Sequence, residues 1–247
     1  MLQGLGGLRA EPTQRCLARA MQSDFSIKMT RTDAEIREAV LLELEWDTRV
    51  EDGGIDVEVI HGVVALTGRV GSWASRVLAQ EAAQRVAGVL DVANDVDVVL
   101  SPSAIRSDVD LLRAVRSSLD WDVFIPKTRI HACVSDGLLT LEGEVDHFSQ
   151  RDDAEKAVRN IQGIRRLFNK IRVKPAAAAP HEVQKSIEAA LERRAAREAR
   201  RINLDVHEGK VILSGAVHSW AERQSVVGAA KGTPGVRIVD DRLHIEP

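Results

Sequence analysis

Arg76, Arg151 and Arg223 are the charged residues that recur at one fixed position in three separate stretches of this 247-residue chain. Each falls in the first or second turn of a predicted helix. A positive charge there gains nothing from the helix dipole, which favours anions at that end. The ordinary use of such an arginine is to tie the helix to an adjacent loop by hydrogen bonds or an ion pair. The chemical use is to hold a phosphate or lipid headgroup, helped by free N–H groups at the same helix end. A second basic group, Arg193, Arg194, Arg197, Arg200 and Arg201, forms a stripe late in the chain. Near an anionic bilayer each basic residue adds about 1 kcal/mol, enough in sum for weak, salt-sensitive binding. Arg76, Arg151, Arg223, Arg193, Arg197 and Arg200 are therefore the candidate anion- or lipid-binding residues.

The acidic counterpart is Asp56, Glu58, Asp95 and Asp97, at outward positions of two predicted strands. Were those strands neighbours, the four carboxylates would crowd one sheet face, and like charges opposite one another are unfavourable. A bound cation would relieve that crowding, as would a basic face such as Lys170 and Arg172. Contact between domains is the better reading, because flat alternation does not supply converging oxygens at defined geometry. The seven histidines are scattered without metal-ligand spacing, so no metal site is assigned. There is no nucleophile elbow, phosphate-binding glycine loop or zinc-protease helix motif. Catalysis is not expected, and no catalytic residue is assigned.

The elements that carry these residues come from a repeat. Residues 33–99 align without a gap with 108–174 at an offset of 75, and these with the tail from 181 at an offset of 72. Ten columns are identical in all three copies: Leu44, Ile55, Val59, Gly62, Leu66, Gly68, Val70, Arg76, Ala82 and Gly88 in the numbering of the first. Fixed apolar residues and glycines at this period mean one small domain used three times. Each copy opens with an apolar series at helical spacing, Ile36, Val40, Leu44 in the first. Alternation through Ile55, Val57 and Val59 predicts a half-buried strand. A glycine turn and a second alternating run follow. Ser72 or Ser219 then starts a second helix, the latter with Glu222 as a capping box, and Gly88, Gly163 and Gly235 stop it before a last strand.

The predicted class is thus α+β: three tandem small domains, each α-β-β-α-β, with two helices on one face of a three-stranded mixed sheet. The boundaries are 1–32 for a flexible N-terminal segment, 33–99, 108–174 and 181–247 for the domains. Trp73, Phe148 and Trp220 enter the second helices and are expected to staple onto the core. Trp46 and Trp121 follow the first helices, where the third copy has Arg193.

Composition narrows the function further. Aromatic content is 3% with no Tyr, a thin supply of stacking platforms for single-stranded nucleic acid. The net charge of −3 conceals an acidic first repeat, with 5 Lys/Arg against 14 Asp/Glu, beside nearly neutral second and third repeats. No nucleic-acid partner is expected. Cys16 and Cys133 are the two cysteines, so no disulfide framework follows and a reducing compartment fits. The first thirty residues lack the apolar stretch of a standard export signal, and Met21 or Met29 are alternative starts.

The helix-strand-strand-helix-strand order, the endings Leu66-Thr67-Gly68-Arg69-Val70, Leu141-Glu142-Gly143-Glu144-Val145 and Leu213-Ser214-Gly215-Ala216-Val217, and the closing Gly-Val or Gly-Ile pairs resemble the BON domain of bacterial osmotically inducible and nodulation proteins. The resemblance implies a non-enzymatic binding module. Its relatives are linked to osmotic and envelope stress, to anionic phospholipid and, in one cytoplasmic branch, to potassium. The expectation is a cytoplasmic triple-domain binding or scaffold protein, peripheral at the inner membrane, contacting anionic phospholipid or a protein partner, with contacts between its repeats. The alternative is a potassium-responsive protein, with potassium as its one cofactor and Asp56, Glu58, Asp95 and Asp97 as its ligands.

Overall fold

Thr32 begins the first element: its Oγ1 accepts the N–H of Glu35 at 3.3 Å, while Glu35 Oε2 accepts the N–H of Thr32 at 2.8 Å. This capping box satisfies two orphan donors and starts α1 (Asp33–Trp46), whose Ile36, Val40 and Leu44 are buried. The computed structural model describes residues 31–50, 54–175, 179–194 and 202–246; the segment expected to be flexible lies almost wholly outside them. Repeat 1 continues with β1 (Ile55–Ile60), β2 (Val63–Val70), α2 (Trp73–Arg85) and β3 (Asp91–Val98). Repeat 2 has α3 (Asp108–Trp121), β4 (Ile130–Ser135), β5 (Leu138–Val145), α4 (Phe148–Arg159) and β6 (Arg166–Val173). Repeat 3 has α5 (Pro180–Arg194), β7 (Ile202–His207), β8 (Lys210–Val217), α6 (Trp220–Lys231) and β9 (Ile238–Ile245).

The three sheets share one topology, with the middle strand antiparallel to the first and parallel to the last. The hairpin turn has two consecutive positive φ angles, 50° at His61 and 76° at Gly62. That is the type I′ geometry, whose twist suits adjacent strands. The glycine accounts for one position; the other is held from outside. Asp33 accepts the N–H groups of both His61 and Gly62 at 2.8 Å, and Asp108 does the same for Asp136 at 2.9 Å and Gly137 at 3.1 Å. Repeat 3 has Pro180 in that column. The fixed Gly143 has φ 143°, and a Cβ on it would stand 2.0 Å from the carbonyl oxygen of Arg129. No side chain fits between those strands.

The second helices lie close to the sheets through small residues: Ala79, Ala82 and Ala83 are fully buried. Ser219 caps α6 by accepting the N–H of Glu222 at 3.2 Å, but Glu222 reaches back to the N–H of His218 rather than to that of the cap.

The repeats do not hang separately. Trp73 packs against the core of repeat 2, Phe148 is buried in the core of repeat 3, and Trp220 packs against the core of repeat 1. Each aromatic serves the neighbour's core, correcting the expectation of a staple within its own domain. The three contacts run 1 to 2, 2 to 3 and 3 to 1, so the repeats close into a ring. Ion pairs follow the same path, Arg159 to Glu81 at 3.1 Å and Lys231 to Asp152 at 3.7 Å.

Candidate functional site

The fixed arginines sit at these junctions. Arg76 Nε donates to the carbonyl of Val96 at 2.8 Å and its Nη2 to that of Asn94, while Asn94 Nδ2 returns a bond to the Arg76 carbonyl at 2.9 Å. Its guanidinium lies 5.3 Å from the Trp73 ring centroid. Arg223 repeats the plan, with Nε 2.9 Å from Asp241 Oδ2 and the guanidinium 4.8 Å from the Trp220 ring. Each arginine thus ties its helix to its last strand and covers the aromatic that crosses to the next repeat. Burial, followed by the charge of Arg166 across the junction, lowers the Arg76 pKa below the usual arginine range. Arg151 follows the plan in part: its Nη2 donates to the Asn169 carbonyl at 3.4 Å and Asn169 Nδ2 returns a bond to the Arg151 carbonyl at 3.1 Å, but its Nε meets no acceptor among the described residues.

The acidic group is arranged differently from the sequence expectation. The strand order puts β2 between β1 and β3, so Asp56 faces Thr67, Thr67 faces Asp95, and Asp97 faces Arg69. The crowding of Asp56, Glu58, Asp95 and Asp97 as neighbours is therefore corrected. They share an outward face but are separated by a strand that places Arg69 opposite one of them. Lys170 and Arg172 pair within their own repeat, with Glu142 at 3.8 Å and Glu144 at 3.3 Å. Among the described residues no three His, Cys, Asp or Glu side chains converge as metal ligands.

A different surface stands out by its exposure. Trp121 is 85% exposed, Val123 91% and Phe124 74%, all within four residues at the end of α3. Trp46, in the same column of repeat 1, is 79% exposed. Ile125 turns inward and anchors the loop, and the Asp122 carboxylate accepts the Phe124 N–H at 2.9 Å. The loop is thereby held with its apolar side chains outward. Beside it, Arg113, Arg116, Ser117, Asp120 and Trp121 line a hollow of about 470 Å³. Arg113 is held by Asp110 at 2.9 Å, whereas among the described residues no ion pair engages Arg116. The sequence carried a signal for this surface. Trp121 stands two residues beyond the buried Leu119, about 200° around the helix from the apolar stripe. Of the basic stripe, Arg193 lies in α5, and Arg197 and Arg200 lie outside the described residues.

The family model of the BON domain matches residues 32–99, 107–175 and 181–247. The chain belongs to the BON domain family. This BON-repeat chain is 26% identical over 146 residues, 58% of its length, to the osmotically-inducible protein Y of Escherichia coli, covering 73% of that protein. Among solved structures it is similar to CdsD, a structural protein of the type III secretion system of Chlamydia trachomatis. One such chain has 14% identity and a TM-score of 0.25, with 85% of this chain and 91% of that one covered. A second, the C-terminal domain, has 13% identity and a TM-score of 0.24, with 88% and 100% covered. Among the described residues no helix is long and apolar enough to cross a membrane.

Proposed function

We propose that this BON-repeat protein is a non-catalytic scaffold with a stress-related role that docks on anionic phospholipid through the end of α3. The observation that carries this reading is the outward placement of Trp121, Val123 and Phe124 next to Arg116. An apolar cluster of this exposure, with Arg116 beside it and Asp120 and Asp122 on the same turn, has the amphipathic composition of a membrane-interface contact. Fully burying such side chains is worth about 1.5–3 kcal/mol each, and partial insertion with one or two basic neighbours brings the total to about 4–6 kcal/mol. That corresponds to reversible binding. The electrostatic part weakens with ionic strength, since the screening length falls from about 30 Å at 0.01 M salt to about 10 Å at 0.1 M. A contact of this kind responds to the ionic conditions that osmotic stress changes, and the name of the Escherichia coli relative supports that role.

The test is flotation of the full chain with phosphatidylglycerol and with phosphatidylcholine vesicles. Binding to the first that falls with salt, and is lost in Trp121→Ala/Phe124→Ala, is the expected result. Both positions are exposed, so the variant keeps its fold. Absence of flotation with either lipid overturns the lipid reading and leaves a protein as the occupant of this surface.

A further inference from the structure

The cleft between repeats 2 and 3 differs in charge from the rest of the molecule. Arg151, Lys170, Arg172, Lys174 and Arg237 line it, with Glu144 as the one carboxylate, around a volume of about 470 Å³. It follows β6, the edge strand of its sheet, and is closed on the far side by Arg237 and Ile238. Ile171, Val173 and Ile238 give it an apolar lining beneath the charges. Glu144 is shared by Arg172 at 3.3 Å and Lys174 at 3.6 Å and Lys170 meets Glu142 at 3.8 Å, so the five cations outnumber the carboxylates that answer them and the cleft stays positive.

The internal symmetry of the chain supplies the comparison. The columns holding Lys170, Arg172 and Lys174 hold Asp95, Asp97 and Val99 in repeat 1, and Arg242, His244 and Glu246 in repeat 3. Repeat 2 alone presents cations at all three of these alternate positions, Lys170 and Arg172 on β6 and Lys174 just past its end, spaced about 6.6 Å apart. Arg151 is the exception among the fixed arginines in the same place. The Nε of Arg76 is bound by Val96 and that of Arg223 by Asp241, but the Nε of Arg151 is buried without an acceptor from the protein. Nor does Arg151 cover its own aromatic: Phe148 is buried in repeat 3, and the cation near its ring is Lys231, at 5.9 Å. A cleft lined by guanidinium and ammonium groups is matched by phosphate oxygens.

We infer that the cleft between repeats 2 and 3 binds a phosphate group, with the Arg151 guanidinium among its lining groups and Lys170, Arg172, Lys174 and Arg237 neutralising it from the rim. The chemistry is that of a phosphate mono- or diester, supplied either by a soluble phosphate or by a lipid headgroup. The site is separate from the α3 surface and does not depend on it.

The experiment follows the Nε–Hε resonances of ¹⁵N-labelled full-length protein carrying Trp121→Ala/Phe124→Ala, which removes the α3 contact. Inorganic phosphate is titrated against sodium chloride at matched ionic strength. A saturable shift of the Arg151 signal, with those of Arg76 and Arg223 unmoved, supports the site with a soluble phosphate as its source. No shift with phosphate, but selective loss of the Arg151 signal with phosphatidylglycerol vesicles, supports it with a headgroup as its source. In either case Arg172→Glu/Arg237→Glu, at exposed positions, weakens the effect at least tenfold. No change in either arm, or an equal drift of all three arginine signals, overturns the inference.

Discussion

Arg159 Nη1 stands 3.1 Å from Glu81 Oε1, joining the second helix of repeat 2 to that of repeat 1. The side chains are 28% and 40% exposed, so solvent screens the pair. A double-mutant cycle with Glu81→Gln and Arg159→Gln is expected to give a coupling of about 0.5–1 kcal/mol in urea unfolding. A coupling of zero would mean that the helices meet without help from this pair.

Phe148→Ala removes a side chain that belongs to the chain of repeat 2 and the core of repeat 3. The expected loss is about 3–5 kcal/mol. Native-state hydrogen exchange locates it: amides of β8 and β9 should lose protection at least as strongly as those of β5. If only repeat 2 responds, the crossing contact is absent in solution.

Gly143→Ala places a methyl group 2.0 Å from the Arg129 carbonyl, at a φ of 143° that side chains rarely adopt. The strands must part or the glycine conformation must be abandoned. A loss of about 2–4 kcal/mol is expected from strain and broken pairing. An unchanged midpoint in urea would show that the hairpin tolerates separation.

Acid should weaken repeat 1 through two carboxylates. Hydrogen bonding from Arg49 lowers the Asp47 pKa to about 2, and the N–H groups of Gly62 and His61 lower that of Asp33. A carboxyl with a depressed folded pKa contributes stability above its unfolded value and loses it as pH falls through the folded one. For Asp47 the loss runs from about pH 4 down to about 2, and amounts to about 1 kcal/mol after allowance for the exposed Arg49. Asp47→Asn should flatten the decline of stability over that window. An equally steep decline in the variant would assign it to other groups.

The secondary structure of each repeat was legible because its signals are local. Ile36, Val40 and Leu44 mark one helix face, and Gly62 marks a turn that strands on both sides require. Strand neighbours were not legible in repeat 1, since Asp56 and Asp95 carry the same alternation whether adjacent or separated by Thr67. The destination of Trp73, Phe148 and Trp220 was hidden for a related reason. An apolar residue at a helix start shows that it will be buried, not by which copy. The exposed Trp121 could be read from its angle to Leu119, whereas the unfilled Arg151 Nε depends on side-chain placement that no spacing encodes.

The crossing aromatics also impose an arithmetic on chain length. Every repeat offers one plug and one socket, and the third plug returns to the first socket, so the intact chain is valence-complete. Two repeats cut from this chain would retain a bare Phe148 and an open recess on repeat 1, unlike surfaces that fit one another only across copies. Such a fragment would be a monomer for a head-to-tail assembly. The count of three is what lets the crossing contacts close on themselves.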